Sequence, residues 1–347
     1  MKVLIVKTSA LGDVVHALPV LAWLHSADPA LQIDWLVERG FAPLLDDHPL
    51  LRQTIAIDTR GWRRQGRLTA LRQGWRVLRR IRREGYDVVL DLQGNSKSGL
   101  FTFLSGATRR YGFAHGAVRE WPNLLATNHK VKPGEEAFHI TDRSLAIARA
   151  AFPNGSELLP AGPLPVAAVA RESVARQLAE FGLDRQPVVV LHYGTTWSTK
   201  LWALDSWQEL AGRLNAEQSI RPVLTWGSEV ERQAVQTIAA ACRQQCHIWP
   251  RGSLKELIAL LARADLVVGG DTGPVHIAAA VGTPTVSLFR VTDASRNAPR
   301  GAVHISLSAR LECSPCLRKT CERDDECAAS IAVDQVFQAV VHALQAH

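Results

Sequence analysis

Short apolar runs alternate with longer periodic segments along the first half of the chain. Val3 to Val6, Ile33 to Val37, Thr54 to Ile57 and Val88 to Leu92 are too short for helices and too uniformly apolar to have a solvent face. They predict strands covered on both sides. Apolar positions recur at helical spacing between them, so the rhythm predicts parallel βαβ units. Pro153, Pro160, Pro163 and Pro165 break it, and a new helix from about Val169 leads into Val188 to Leu191. The plan then repeats, with strands expected at Pro222 to Trp226, Leu266 to Val268 and Thr285 to Phe289, and a closing amphipathic helix from about Val333 to Leu344. The expectation is two open α/β sheets, one in a domain over 1–152 and one over 169–330, joined by a linker over 153–168 and followed by a terminal segment over 331–347. Ligands of such sheets bind beyond the carboxyl ends of the strands, which makes the cleft between the domains the expected site.

Size agrees with this division, because 347 residues of which 47% are hydrophobic can fill two cores. No apolar run approaches the roughly 18 residues needed to span a bilayer, and the chain opens on a strand without a signal-peptide pattern. The expectation is a cytoplasmic globular protein.

Charge adds a preference for anionic partners: the formal net charge is +7, and ten arginines fall between Arg60 and Arg83. Arg72, Arg76, Arg79, Arg80 and Arg83 share one helical face, with Leu71, Trp75 and Leu78 on another. The segment reads as an amphipathic basic helix at a surface, facing either plain solvent or an anionic membrane. No RNP-type aromatic motif, zinc-finger spacing or helix-turn-helix signature accompanies the charge, so nucleic acid is not implied.

Two stretches carry candidate chemistry. In Val267 to Ala280 a buried strand runs through Gly269-Gly270-Asp271-Thr272-Gly273 into a helix with Pro274 in its first turn. Such a turn presents free backbone N–H groups to a phosphate, and it is equally a plain capped helix start. Val3 to Pro19 is again strand, turn and helix, now with Asp13 at the turn, either as a general base or as a helix cap.

With Lys7-Thr8-Ser9 to Gly12-Asp13, Gly194-Thr195-Thr196 to Lys200, and Asp271-Thr272-Gly273 to His276 in this order, the chain resembles glycosyltransferase family 9, the ADP-heptose:lipopolysaccharide heptosyltransferases. The resemblance implies a GT-B fold, with two Rossmann-like domains facing a cleft and the last helix crossing back to the first domain. It implies an inverting transfer of L-glycero-D-manno-heptose from ADP-heptose to a Kdo residue of the lipopolysaccharide inner core. Asp13 would be the base and Lys200 would stabilise the leaving diphosphate. Thr195, Thr196, Lys200, Glu231, Asp271, Thr272, Gly273 and His276 would hold the nucleotide sugar, with Glu229 a rival to Glu231. Arg60, Arg64 and Arg119 match basic acceptor positions, and arginine forks suit the carboxylates and phosphates of Kdo-modified lipid A. Gly61 and Gly252 depart from bulkier family residues. No Asp-x-Asp pattern is present to hold a divalent cation under a diphosphate, and neither a metal nor another cofactor is implied. With the arginine cluster, the acceptor implies an enzyme peripheral at the cytoplasmic face of the inner membrane. Other family 9 steps and a non-catalytic nucleotide-sugar-binding or metal-sensing protein are the rival readings.

Cys313, Cys316, Cys321 and Cys327 are dense enough to suggest a metal site in a reducing compartment, although their spacing fits no standard zinc finger and the intervening Arg318, Lys319 and Arg323 suggest a solvated loop. Cys242 and Cys246 read as a buried pair.

Overall fold

The computed structural model describes residues 1–156, 164–242 and 245–346. It divides into two compact units, Met1–Pro165 and Val166–His347. Pro160 and Pro163, on which part of the linker rests, lie outside the described residues.

The first unit holds β1 (Lys2–Val6), β2 (Gln32–Glu38), β3 (Gln53–Ile57), β4 (Val88–Asp91), β5 (Arg109–Phe113) and β6 (His129–Val131). They form one parallel sheet in the order β3-β2-β1-β4-β5-β6. Val3 lies opposite both Ile33 and Val88, and Val6 opposite Leu36 and Asp91, so β1 is hydrogen-bonded along both edges. This is the doubly wound Rossmann order, and its switch point falls between β1 and β4.

The second unit repeats the topology with β7 (Val189–His192), β8 (Val223–Thr225), β9 (His247–Ile248), β10 (Leu266–Gly270), β11 (Thr285–Phe289) and β12 (His304–Ser308). The order is β12-β11-β10-β7-β8-β9, again all parallel, with the switch point between β7 and β10.

Helices bury the strands because the strands expose apolar side chains on both faces. In the first unit Leu4, Val6, Leu36, Ile55, Ile57 and Val89 pack with Ile81 and Phe101, which come from the helices Arg67–Glu84 and Ser96–Leu104. The apolar positions of the arginine-rich helix divide differently from the sequence expectation. Val77, Leu78 and Ile81 face this core, whereas Leu71 is 70% and Trp75 61% exposed, in line with Leu68 at 79%. The helix stops at Gly85, whose φ of +64° suits a residue without Cβ.

The closing helix, Val333–Gln345, packs one face into the second unit. Val336, Phe337, Val340 and Ala343 are buried in the core of the second unit beside Val268 and Leu288, so the helix belongs to the sheet that precedes it. The stretch Asp324–Gln345 has the length and apolar composition of a membrane span, against the expectation that no apolar run reaches that length. It is two helices, Asp324–Ala329 and Val333–Gln345, whose apolar side is core.

Candidate active site

Lys200, Asp271 and His276 meet at the switch point of the second unit. Asp271 follows β10 directly, Lys200 closes a short 3-10 turn, Ser198–Lys200, beyond β7, and His276 lies on the first turns of the helix Gly273–Ala280. Lys200 Nζ donates to Asp271 Oδ2 across 2.6 Å, and His276 Nε2 lies 3.1 Å from Asp271 Oδ1. Asn297 Nδ2 adds a longer contact to Oδ2 at 3.4 Å. Burial works against the charge of Asp271, but the hydrogen bond and charge of His276 and Lys200 outweigh it and hold the carboxyl well below the usual carboxylate range. The acid is therefore a fixed anion that orients two side chains.

Thr272 stands at the cap position of that helix without a side-chain cap bond, and Pro274 occupies the first turn. The backbone N–H groups of Thr272 and Gly273 thus lie at the positive end of the helix, next to Lys200. Thr195 and Thr196 span the distance from β7 to Lys200 and are partly exposed and exposed, respectively. Glu231 belongs to the next strand junction. Its carboxylate accepts from Gly227 N at 2.6 Å and Ser228 N at 3.2 Å, closing a capping box, and it packs so close to Gly194 that a Cβ there would come within 2.3 Å of Oε2. Glu229 instead meets Arg232 on the helix surface. Below the junction His192 is buried against Thr225 Oγ1 at 2.9 Å, and burial lowers its pKa to about 4.

The first unit places Asp13 at the corresponding switch point, on the short helix Leu11–Val15 that follows β1. The helix begins earlier than expected, so Asp13 is its third residue and Ala10 its cap position; Asp13 Oδ2 reaches back to accept from Ala10 N at 3.2 Å, serving the helix start with one oxygen. Among the described residues no hydrogen-bond donor occupies Oδ1. Beneath it the buried Lys7 donates to Leu92 O at 3.0 Å, and Gln93 Oε1 accepts from the backbone N–H groups of Thr8 and Ser9 at 2.9 and 3.0 Å. Burial lowers the Lys7 pKa, against the pull of Asp13 and Asp91. These two side chains fix the loop that carries Asp13, and the sequence reading gave Lys7 no role of its own and passed over Gln93. A lysine closing an apolar strand was the one available signal.

Arg60, Arg64 and Arg119 are exposed. Arg60 and Arg64 lie on the helix Thr59–Arg64 beyond β3, capped by Asp58, which accepts from Gly61 N at 2.8 Å. Arg119 lies in the loop after β5, next to Glu120, which holds Ser96 N at 2.9 Å. All three stand beyond carboxyl ends of strands in their sheet.

The sequence pattern of glycosyltransferase family 9 (heptosyltransferase) matches residues 74–326. The chain belongs to glycosyltransferase family 9. It is 36% identical over 331 residues to lipopolysaccharide heptosyltransferase 1 of Pseudomonas aeruginosa, covering 92% of this chain and 87% of that protein. To lipopolysaccharide heptosyltransferase 1 of Escherichia coli it is 31% identical over 297 residues, 84% and 89% of the two chains. The structure of the Escherichia coli heptosyltransferase WaaC with ADP-2-deoxy-2-fluoro heptose superposes with a TM-score of 0.78 at 27% identity over 99% of both chains. This protein is a glycosyltransferase, and its two Rossmann-type units are those of the GT-B fold.

The four clustered cysteines of this family 9 transferase differ in exposure. Cys313 is exposed, Cys316 and Cys321 are partly exposed, and Cys327 is buried. Three of them line a cavity of about 620 Å³ with Arg318 and Arg323. Among the described residues no group of three or more His, Cys, Asp or Glu side chains is disposed to hold a metal ion. Cys242 and Cys246 are both buried and lie against each other, as a packed pair would.

Proposed function

We propose that this transferase moves L-glycero-D-manno-heptose from ADP-heptose to a Kdo residue of the lipopolysaccharide inner core, inverting the anomeric centre. The observation that carries the reading is the Lys200–Asp271–His276 constellation beside a helix N-terminus at a Rossmann switch point. The names of the relatives, and the fluorinated ADP-heptose in the matching WaaC structure, support this donor.

The second unit holds the nucleotide sugar. Lys200 and the N–H groups of Thr272 and Gly273 face the diphosphate with Thr195 and Thr196, and Glu231 accepts from the ribose hydroxyls. Asp271 keeps Lys200 and His276 in place. The first unit holds the acceptor, whose carboxylates and phosphates meet Arg60, Arg64 and Arg119. Asp13 Oδ1 takes the proton from the attacking hydroxyl as the new C1–O bond forms. The bond from C1 to the diphosphate oxygen breaks on the opposite face, and ADP leaves with the electron pair. Because the hydroxyl enters on the face away from the leaving diphosphate, the configuration at C1 is inverted.

An acceptor of this class resides in a membrane, and the helix Arg67–Glu84 suits an anionic leaflet. Its arginines attract acidic headgroups by about 1 kcal/mol each near the surface. Leu68, Leu71 and Trp75, all more than half exposed, supply an apolar ridge for the headgroup boundary. The enzyme then works at the cytoplasmic face of the inner membrane.

The test is ADP release from ADP-L-glycero-D-manno-heptose with Kdo-modified lipid A, with and without EDTA. Acceptor-dependent release that survives EDTA is expected. Absence of release with this acceptor, alongside release with a longer heptose-bearing core, would reassign the step.

A further inference from the structure

The segment from Leu311 to Cys327 has no part in the transfer as described, yet it is fastened to the loop that presents Lys200. Thr199 Oγ1 donates to Arg318 O at 2.7 Å, immediately before Lys200. Immediately after it, the Leu201 carbonyl accepts from Arg290 Nη1. The Arg290 side chain is 1% exposed and reaches Asp324 Oδ1 through Nη2 at 2.8 Å, while Leu317 N donates to Val291 O at 2.9 Å. The segment and the Lys200 loop are therefore one packed assembly within the second unit.

That assembly delivers a second ammonium. Lys319, the residue after Arg318, places Nζ 5.0 Å from the centre of the Trp197 ring, and Lys200 Nζ lies 5.0 Å from the same centre. The two ammonium groups are therefore within about 10 Å of each other. Their electrostatic situations differ. Lys200 is half-neutralised by Asp271 at 2.6 Å, whereas among the described residues Lys319 has no carboxylate within ion-pair distance. A cation resting on an aromatic face keeps its N–H donors for another partner. Like charges this close repel, and an anion bound between them relieves the repulsion. A diphosphate brings more than one negative charge, which Lys200 alone, already paired, cannot match.

We infer that Lys319 is a second cation for the diphosphate of the nucleotide sugar, held in place by the cysteine-bearing segment through Thr199 and Arg290. The inference rests on the donor reading above and gives that segment a place in donor recognition.

The experiment is titration of the intact protein with ADP, AMP and adenosine at low and high salt, for the native chain, Lys319→Gln and Lys319→Arg. Lys319 is exposed, so thermal unfolding of both variants should match the native chain. Lys319→Gln is expected to weaken ADP about three- to tenfold at low salt, to weaken AMP less, and to leave adenosine unchanged. The salt dependence of ADP binding should flatten, Lys319→Arg should restore most of the affinity, and the donor KM should rise more than kcat falls. Equal ADP affinity and salt dependence in the native chain and Lys319→Gln would overturn the inference alone. ADP binding no tighter than adenosine in the native chain would overturn the donor reading, and this inference with it.

Discussion

Lys200 and His276 occupy the two oxygens of one carboxylate, with Asp271 Oδ2 2.6 Å from the lysine and Oδ1 3.1 Å from the histidine. Removing that carboxylate leaves a largely buried ammonium without its anion, the costly way to break an ion pair. Asp271→Ala is expected to lower the unfolding free energy of the second unit by about 2–4 kcal/mol and to weaken turnover through misplaced Lys200. Urea unfolding of the two proteins, with donor kinetics alongside, checks both parts. Unchanged stability would mean that the pair is not formed in solution.

Asp13 serves the helix start with one oxygen and is proposed to take a proton with the other. Asn keeps an oxygen for Ala10 N but cannot act as a base. Asp13→Asn should therefore cut turnover about 10²- to 10⁴-fold with little change in stability. Asp13→Ala should lose the same activity and, with the hydrogen bond to Ala10 N, about 1 kcal/mol of stability as well. Comparing the two variants by ADP release and by thermal unfolding separates the helix-start bond from the base.

The strands at the switch points were legible because both faces are covered, which writes their residues as uninterrupted apolar runs: β1, β2, β4, β7, β10 and β11 all fall within a residue or two of expectation. β5, β6, β9 and β12 were missed. β5 opens with Arg109-Arg110, and β6, β9 and β12 each begin with histidine, are two to five residues long, and have at least one side in solvent. A short, half-wet strand carries no periodic signal. The three motif loops were legible for a related reason, since a strand-turn-helix junction needs glycine and cap residues at fixed places. Arg290 and Gln93 were not, because each bonds to loops far along the chain that no local pattern announces. The outward turn of Leu71 and Trp75 was equally hidden, since helical spacing groups apolar residues without saying which group meets the sheet.

His192 is buried and neutral, with a pKa near 4 against an ordinary 6.5. Its unfolded form takes up a proton as pH falls below 6.5 while the native form does not, so its contribution to stability is complete above that pH and is lost on the way to pH 4. The loss should reach about 3 kcal/mol. His192→Gln should show a correspondingly shallower fall in denaturant midpoint between pH 6.5 and 4, and parallel curves for the two proteins would refute the assignment.

Glu231 rests against Gly194 with no room for a Cβ between them. Gly194→Ala should push the carboxylate off Gly227 N and raise the donor KM about three- to tenfold, leaving the acceptor KM in place. Steady-state kinetics with each substrate varied in turn distinguish this from a general loss of fold.

The exposed ridge on the arginine-rich helix predicts a lipid preference. Replacing Leu71 and Trp75 together by serine should reduce cosedimentation with phosphatidylglycerol-containing vesicles about tenfold, with the arginines intact. Neutral phosphatidylcholine vesicles should bind the native protein weakly, and equal binding of native and variant protein to the anionic vesicles would show that charge alone carries the attraction.

The loops bearing Asp13, Lys200 and Asp271 grow from β1, β7 and β10, which lie inside their sheets, while β6 and β9 lie at the rims. Amide exchange should therefore run inward: His129–Val131 and His247–Ile248 open by local fraying, and Val3 to Val6 and Val189 to Leu191 exchange only when a whole unit comes apart. A molecule ordered this way can breathe at its margins for most of its lifetime without disturbing the atoms that would do the chemistry.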